Sequence, residues 1–187
     1  MSQDLVGVRV AIMATHGFEE SELAVPRATL EAEGCEVHVV APERGDIRAW
    51  AETRWGDEYP VHKSLDEVSS HDYFALVLPG GVLNPDSLRT HEKALTFARG
   101  FFEEGKPVAA ICHAAWTLIN AGVVDGRRMT SIPSLRKDLE NAGAKWEDSE
   151  VVCDSAFVTS RKPADLDAFC SKLIEEMREG RHRHQHA

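Results

Sequence analysis

Two segments of this chain, Ala75–Leu78 (ALVL) and Val108–Ile111 (VAAI), are apolar at every position, and Val8–Met13 (VRVAIM) is nearly so. A strand with one wet face alternates apolar and polar residues. A strand apolar on both faces has to be covered on both. Helical patterns lie between these runs. Glu19–Glu33 carries Leu23, Ala24, Leu30 and Ala32 on a helical period, and Gly34 stands where a helix stop belongs. Further helices are expected over residues 92–104, 113–121, 134–141 and 165–179, and further strands over 36–40, 151–153 and 157–159. Residues 42–63 read as irregular, with a hairpin-like excursion around Trp50 and Trp55. Buried strands alternating with helices predict an α/β fold, a doubly wound parallel sheet with helices on both faces. In such sheets the ligand crevice lies beyond the C-terminal ends of the strands. That rule selects the loop His16–Glu22, the loop Pro79–Asp86, and Cys112-His113.

The 187 residues suit one compact domain, expected over residues 1–180, with a His-rich tail at 181–187 expected to be disordered. No apolar run approaches the roughly 20 residues of a membrane span, and the N-terminus does not read as a signal peptide. The expected location is cytoplasmic. A net charge of −10 makes nucleic acid and anionic lipid poor default partners. Cys35, Cys112, Cys153 and Cys170 are widely spaced, which argues against a disulfide framework or a zinc ribbon. Packing is the expected role of all but Cys112.

Ala110-Ile111-Cys112-His113-Ala114 places a nucleophile between small residues two before and two after it. A sharp strand-to-helix turn needs that spacing, because larger side chains collide as the chain folds back. The backbone at Cys112 is expected to be strained, and the helix N-terminus to lower the thiol pKa. A cysteine is more often a small buried hydrophobe, but the strand-end position and the flanking alanines favour a reactive thiol here. His113 is either a base with its ring turned to the thiol or a surface histidine in a first helical turn. Among Glu19, Glu20 and Glu22, one acid can reach the thiol, while at least two are expected to be ordinary first-turn acids. Gly80-Gly81 can present N–H groups to an oxyanion or can simply make a turn. The chain has no GxxxxGK[ST] and no GxGxxG, and no cofactor or metal site is expected, the tail histidines included.

Gly17-Phe18-Glu19-Glu20-Ser21-Glu22-Leu23, Leu78-Pro79-Gly80-Gly81 and Gly105-Lys106-Pro107-Val108-Ala109-Ala110-Ile111-Cys112-His113 together resemble the ThiJ/PfpI family, the superfamily of the parkinsonism-associated deglycase. The similarity runs through Ala121-Gly122-Val123, Asn141–Ala144 and Thr159–Leu166, and is closest to the PfpI branch, where histidine follows the cysteine. The resemblance implies a flavodoxin-like, class I glutamine amidotransferase-like fold and a homodimer or higher homo-oligomer. It implies Cys112 as nucleophile, Glu22 as the acid that hydrogen-bonds it, and Glu19 in the same acidic loop. His113 matches the branch histidine, and Asp86 falls where that branch carries an acid reaching the histidine of a neighbouring subunit. Gly81 and His113 would supply the oxyanion amides. Two positions depart from the family pattern. Ala114-Ala115-Trp116 stands where Gly-Pro usually follows the histidine, so Trp116 lines or narrows the pocket. Ile132 replaces a tyrosine or histidine and can neither donate nor accept a proton.

Three functions are expected from these features. The first is a stress-response enzyme of deglycase or glyoxalase type, acting through the Cys112 thiolate on a small reactive carbonyl or a modified protein. The second is a redox-sensing or chaperone-like protein whose Cys112 is oxidised to sulfenic or sulfinic acid. The third is an intracellular cysteine peptidase, which Ile132 counts against.

Overall fold

The computed structural model describes residues 3–180. The expected tail at 181–187 lies outside the described residues. β1 (Arg9–Met13) leads to α1 (Glu20–Ala32) and back to β2 (Glu36–Ala41). A hairpin of β3 (Asp46–Ala51) and β4 (Arg54–Pro60) follows, then the short β5 (Lys63–Ser64). β6 (Ala75–Leu78), α2 (Leu83–Leu88), α3 (Glu92–Glu103) and β7 (Val108–Ile111) come next. A 3-10 turn over Cys112–Ala114 then feeds α4 (Ala115–Ala121). The remainder is β8 (Arg128–Met129), α5 (Arg136–Asn141), β9 (Lys145–Trp146), β10 (Val152–Asp154), β11 (Phe157–Ser160) and α6 (Leu166–Glu179).

The main sheet has the order β10-β11-β7-β6-β1-β2-β5. Its strands alternate between two cores. Val10, Ile12, Val77, Ala109 and Val158 face Leu23 and Leu30 of α1 and Phe169, Leu173 and Met177 of α6. Ala11, Met13, Leu76, Leu78 and Ala110 face Phe97 and Phe101 of α3, Leu118 of α4 and Leu139 of α5. Covering both faces is what permits four fully buried residues in a row in β6 and in β7. The chain runs outward from β1 to β2, then crosses to β6 on the other side of β1. The strand order therefore reverses between β1 and β6, and the crevice opens beyond their C-terminal ends.

The sheet is mixed rather than wholly parallel, because β10 runs antiparallel to β11 at one edge. Only Ser155 and Ala156 separate the two strands, both with positive φ (52° and 68°). A two-residue connection of that kind can join only antiparallel neighbours. Residues 42–63 are more regular than expected. β3 and β4 form an antiparallel ribbon in which Trp50 pairs with Trp55 across the strands, ring edge to ring face at 5.4 Å. Its Ile47 and Ala49 are buried in the α1 core. Leu83–Leu88 is helical where a loop was expected, and the helix expected from His113 begins as a 3-10 turn. Among the described residues, no helix is long and apolar enough to cross a membrane.

Candidate active site

Cys112 directly follows β7 with φ +64°, in the left-handed region that a β-carbon disfavours. The preceding Ile111 is still extended, and the following residues are helical. The strain expected from the Ala-x-Cys-x-Ala spacing is therefore present, at the one residue that must be thrown forward from the sheet. The thiol is 7% exposed. The backbone N–H groups of His113 and Gly81 both donate toward Sγ.

Glu22 reaches the thiol from the first turn of α1 and is fully buried. Its Oε2 accepts the N–H of Gly80 at 2.8 Å, Oε1 is buried without a geometric hydrogen-bond partner, and the carboxyl group interacts with the Cys112 thiol. Burial, and then the charge of Glu19, raise the Glu22 pKa to about 8. The thiol is also pushed up, first by burial and then by the Glu22 carboxylate. This corrects the expectation that the helix N-terminus lowers the thiol pKa. α4 is only seven residues long, and two N–H groups do not outweigh burial beside an acid. The two groups cannot both be anionic at low cost, so the pair holds a proton at neutral pH.

His113 turns back to the thiol, with Nδ1 3.3 Å from Sγ. Burial lowers its pKa, so the neutral ring predominates near pH 7 and one nitrogen is free to accept. The ring leans on Trp116 with centroids 5.1 Å apart. Trp116 is fixed in turn by its Nε1 donating to Asp138 at 3.1 Å and by the Arg89 guanidinium over its ring. Ile132 is half-buried, and its N–H donates to the Cys112 carbonyl at 3.4 Å. It thus closes one side of the turn with an apolar wall.

Glu19 and Glu20 have structural partners. Glu19 caps α1, its Oε2 accepting from the Glu22 N–H at 2.9 Å and from the Ser21 hydroxyl at 2.6 Å. Glu20 accepts from the Asp57 N–H at 3.1 Å and from the Tyr59 hydroxyl at 3.4 Å. Asp86 is exposed on α2, and no hydrogen bond or ion pair joins its carboxylate to His113 or to any other described residue. Asn84 went unnoticed in the sequence. It is fully buried and bonded to three backbone groups around the Pro79–Gly81 turn. Its only signal there is the dipeptide Asn84-Pro85, which marks a turn and says nothing of a buried carboxamide.

Residues 8–176 match the family model described as DJ-1/PfpI family. The chain belongs to the DJ-1/PfpI family. One relative, "Deglycase TK1284" from Thermococcus kodakarensis, is 42% identical over 171 residues, covering 91% of this chain and all of that protein. "General stress protein 18" from Bacillus subtilis is 41% identical over 166 residues, covering 88% of this chain and 94% of that one. Among solved structures, Drosophila melanogaster DJ-1beta superposes with a TM-score of 0.83 at 27% identity, covering 92% of this chain and 91% of that one. The strained cysteine, the buried glutamate and the Gly-Gly turn of this DJ-1/PfpI member all lie at the strand ends that the sheet topology selects.

Proposed function

We propose that this chain is a cysteine-dependent enzyme of deglycase or glyoxalase type, acting on small reactive carbonyls or their early adducts on proteins. The observation that carries the reading is the Cys112 thiol set between two N–H donors, a neutral His113 and a Glu22 that holds a proton at neutral pH. The relatives named deglycases support it. The thiol proton passes to His113 Nδ1 as Sγ bonds to the aldehyde carbon of a 2-oxoaldehyde. The carbonyl π pair moves onto oxygen, which takes a proton from Glu22 to give a hemithioacetal. Sγ loses its negative charge as the bond forms, which frees the N–H groups of Gly81 and His113 for the developing oxyanion. Glu22, now anionic, carries the carbon-bound proton to the adjacent carbonyl carbon while the hydroxyl proton moves to that carbonyl oxygen. The product is a 2-hydroxyacyl thioester. Water cleaves it, releasing a hydroxy acid and restoring the thiol, and the proton held by His113 passes back to Glu22, so the balance is substrate plus water.

Methylglyoxal turnover is expected to fall about a thousandfold or more in Cys112→Ser, as it does when a covalent nucleophile is lost. Undiminished turnover in that variant would sink the reading. A second reading rests on the unpartnered Glu22 Oε1: a protonated Glu22 can donate to an oxidised Cys112, as a redox sensor requires. Dilute peroxide would then add two oxygens to Cys112 in the intact mass, with little turnover of methylglyoxal. A peptidase is disfavoured by the apolar Ile132 beside the turn.

We propose further that Asp86 serves His113 of the partner subunit in a homo-oligomer, giving the imidazole a carboxylate that no hydrogen bond supplies among the described residues.

A further inference from the structure

We propose that Asn84 is a positioning residue for the Cys112 thiolate: its carboxamide clamps the Pro79–Gly81 turn so that the turn's N–H groups stay aimed at Glu22 and Cys112. Asn84 is 0% exposed. Its Oδ1 accepts the Thr15 N–H at 2.8 Å, and its Nδ2 donates to the carbonyls of Pro79 at 3.0 Å and Gly80 at 3.1 Å. The orientation is unambiguous, because an N–H can only donate and a carbonyl can only accept. One side chain thereby ties the loop after β1 to the turn after β6, across the point where the strand order reverses. The next N–H groups along that turn are the functional ones: Gly80 donates to Glu22 Oε2 and Gly81 donates toward Sγ. The turn has no freedom to reach these positions by side-chain packing of its own. A β-carbon on Gly80 would lie 2.6 Å from the Cys112 Cβ, and Gly81 has φ +76°. A turn built of two glycines is intrinsically loose, and Asn84 supplies the order that the glycines cannot.

The inference concerns the thiol and does not depend on which reaction the thiol performs. It is tested by the pH profile of Cys112 alkylation with iodoacetamide, read on the Cys112 peptide by mass spectrometry. Asn84→Ala and Asn84→Ser are compared with wild type and with Leu173→Ala, a core truncation in α6 away from the turn. Asn84→Ala should lower the alkylation rate at pH 7 about tenfold and move the midpoint upward, the size expected for one misdirected charge-assisted hydrogen bond. Asn84→Ser, whose hydroxyl can still hold one carbonyl, should fall between, and it decides the matter if the alanine variant does not fold. Leu173→Ala should melt earlier with the wild-type midpoint. Asn84 variants that melt earlier but keep the wild-type profile would overturn the inference, as would an equal shift in Leu173→Ala. Loss of methylglyoxal turnover with an unchanged alkylation profile would count against Asn84 while leaving the enzymatic reading intact. The reverse, a shifted profile in a chain without turnover, would retain Asn84 and remove that reading.

Discussion

Glu22, the proton carrier of the proposed mechanism, has a cost that is measurable as stability. Its pKa stands at about 8 in the folded chain against 4.5 for an ordinary glutamate, chiefly because burial penalises the anion. The folded state therefore binds a proton more tightly than the unfolded state. That contribution to stability is fully present below about pH 4.5 and is lost as the pH rises through about 8. Unfolding free energy should fall by up to about 1.4 kcal/mol per pH unit across that window. Glu22→Gln should flatten this slope, because the amide keeps the shape and cannot ionise. Denaturant titrations from pH 5 to 8 test it, and equal slopes in the two proteins would assign the dependence to other groups. The same variant should alter the pH dependence of Cys112 alkylation, since the thiol and the carboxyl share a proton.

At the scale of elements, the sharp strand-to-helix turn at Cys112 was legible in the sequence and the electrostatics of its thiol were not. Ala110, Cys112 and Ala114 report the turn directly, because steric demand is written in residue size, and the positive φ at Cys112 follows. The thiol's raised pKa comes first from burial and then from the Glu22 carboxylate, which α1 brings from ninety residues away, a contact that no local pattern encodes. The helical dipole is a local feature and pointed the wrong way. Gly80-Gly81 was a weak signal for oxyanion donors and equally the mark of a turn; the turn is present, with the Gly80 N–H on Glu22 and the Gly81 N–H toward Sγ. A β-carbon at position 80 would lie 2.6 Å from Glu22 Oε2 and 2.8 Å from the Ile111 carbonyl, so only glycine lets the turn approach Cys112 this closely. Gly80→Ala should destabilise the fold by about 1–3 kcal/mol and displace Cys112 or Glu22. Thermal melting and Cys112 alkylation check this together. An alanine variant with wild-type stability and wild-type reactivity would show that the turn has slack the packing does not suggest.

For the molecule as a whole, the question is whether one chain completes its own site. Cys112, Glu22, His113 and the Gly81 amide converge within the chain, but among the described residues the imidazole of His113 has the thiol as its hydrogen-bond partner and Trp116 as its ring contact, with no carboxylate bonded to it. A histidine serving as a base is commonly held by a carboxylate on its far nitrogen. Two acids linked to the site are committed elsewhere: Glu19 to the cap of α1, Asp138 to Trp116. Asp86 is exposed on α2 with no hydrogen-bond or ion-pair partner among the described residues, close to the exposed Val82 (52%) and Leu83 (51%). An apolar lip beside an uncommitted acid suits a contact with a second copy, in which Asp86 would meet His113 of the partner subunit. Three outcomes are then expected. Wild type should sediment as a dimer or larger. Asp86→Ala should keep the fold and lose about ten- to a hundredfold in methylglyoxal turnover. Mixing Asp86→Ala with Cys112→Ser, each inactive or nearly so, should restore part of the activity, because a mixed assembly can contain an intact Cys112 and His113 facing an intact Asp86. Complementation separates a shared site from a residue that merely supports its own chain. A monomer with full turnover, or mixtures no more active than their parents, would confine the site to one chain and leave His113 without a carboxylate.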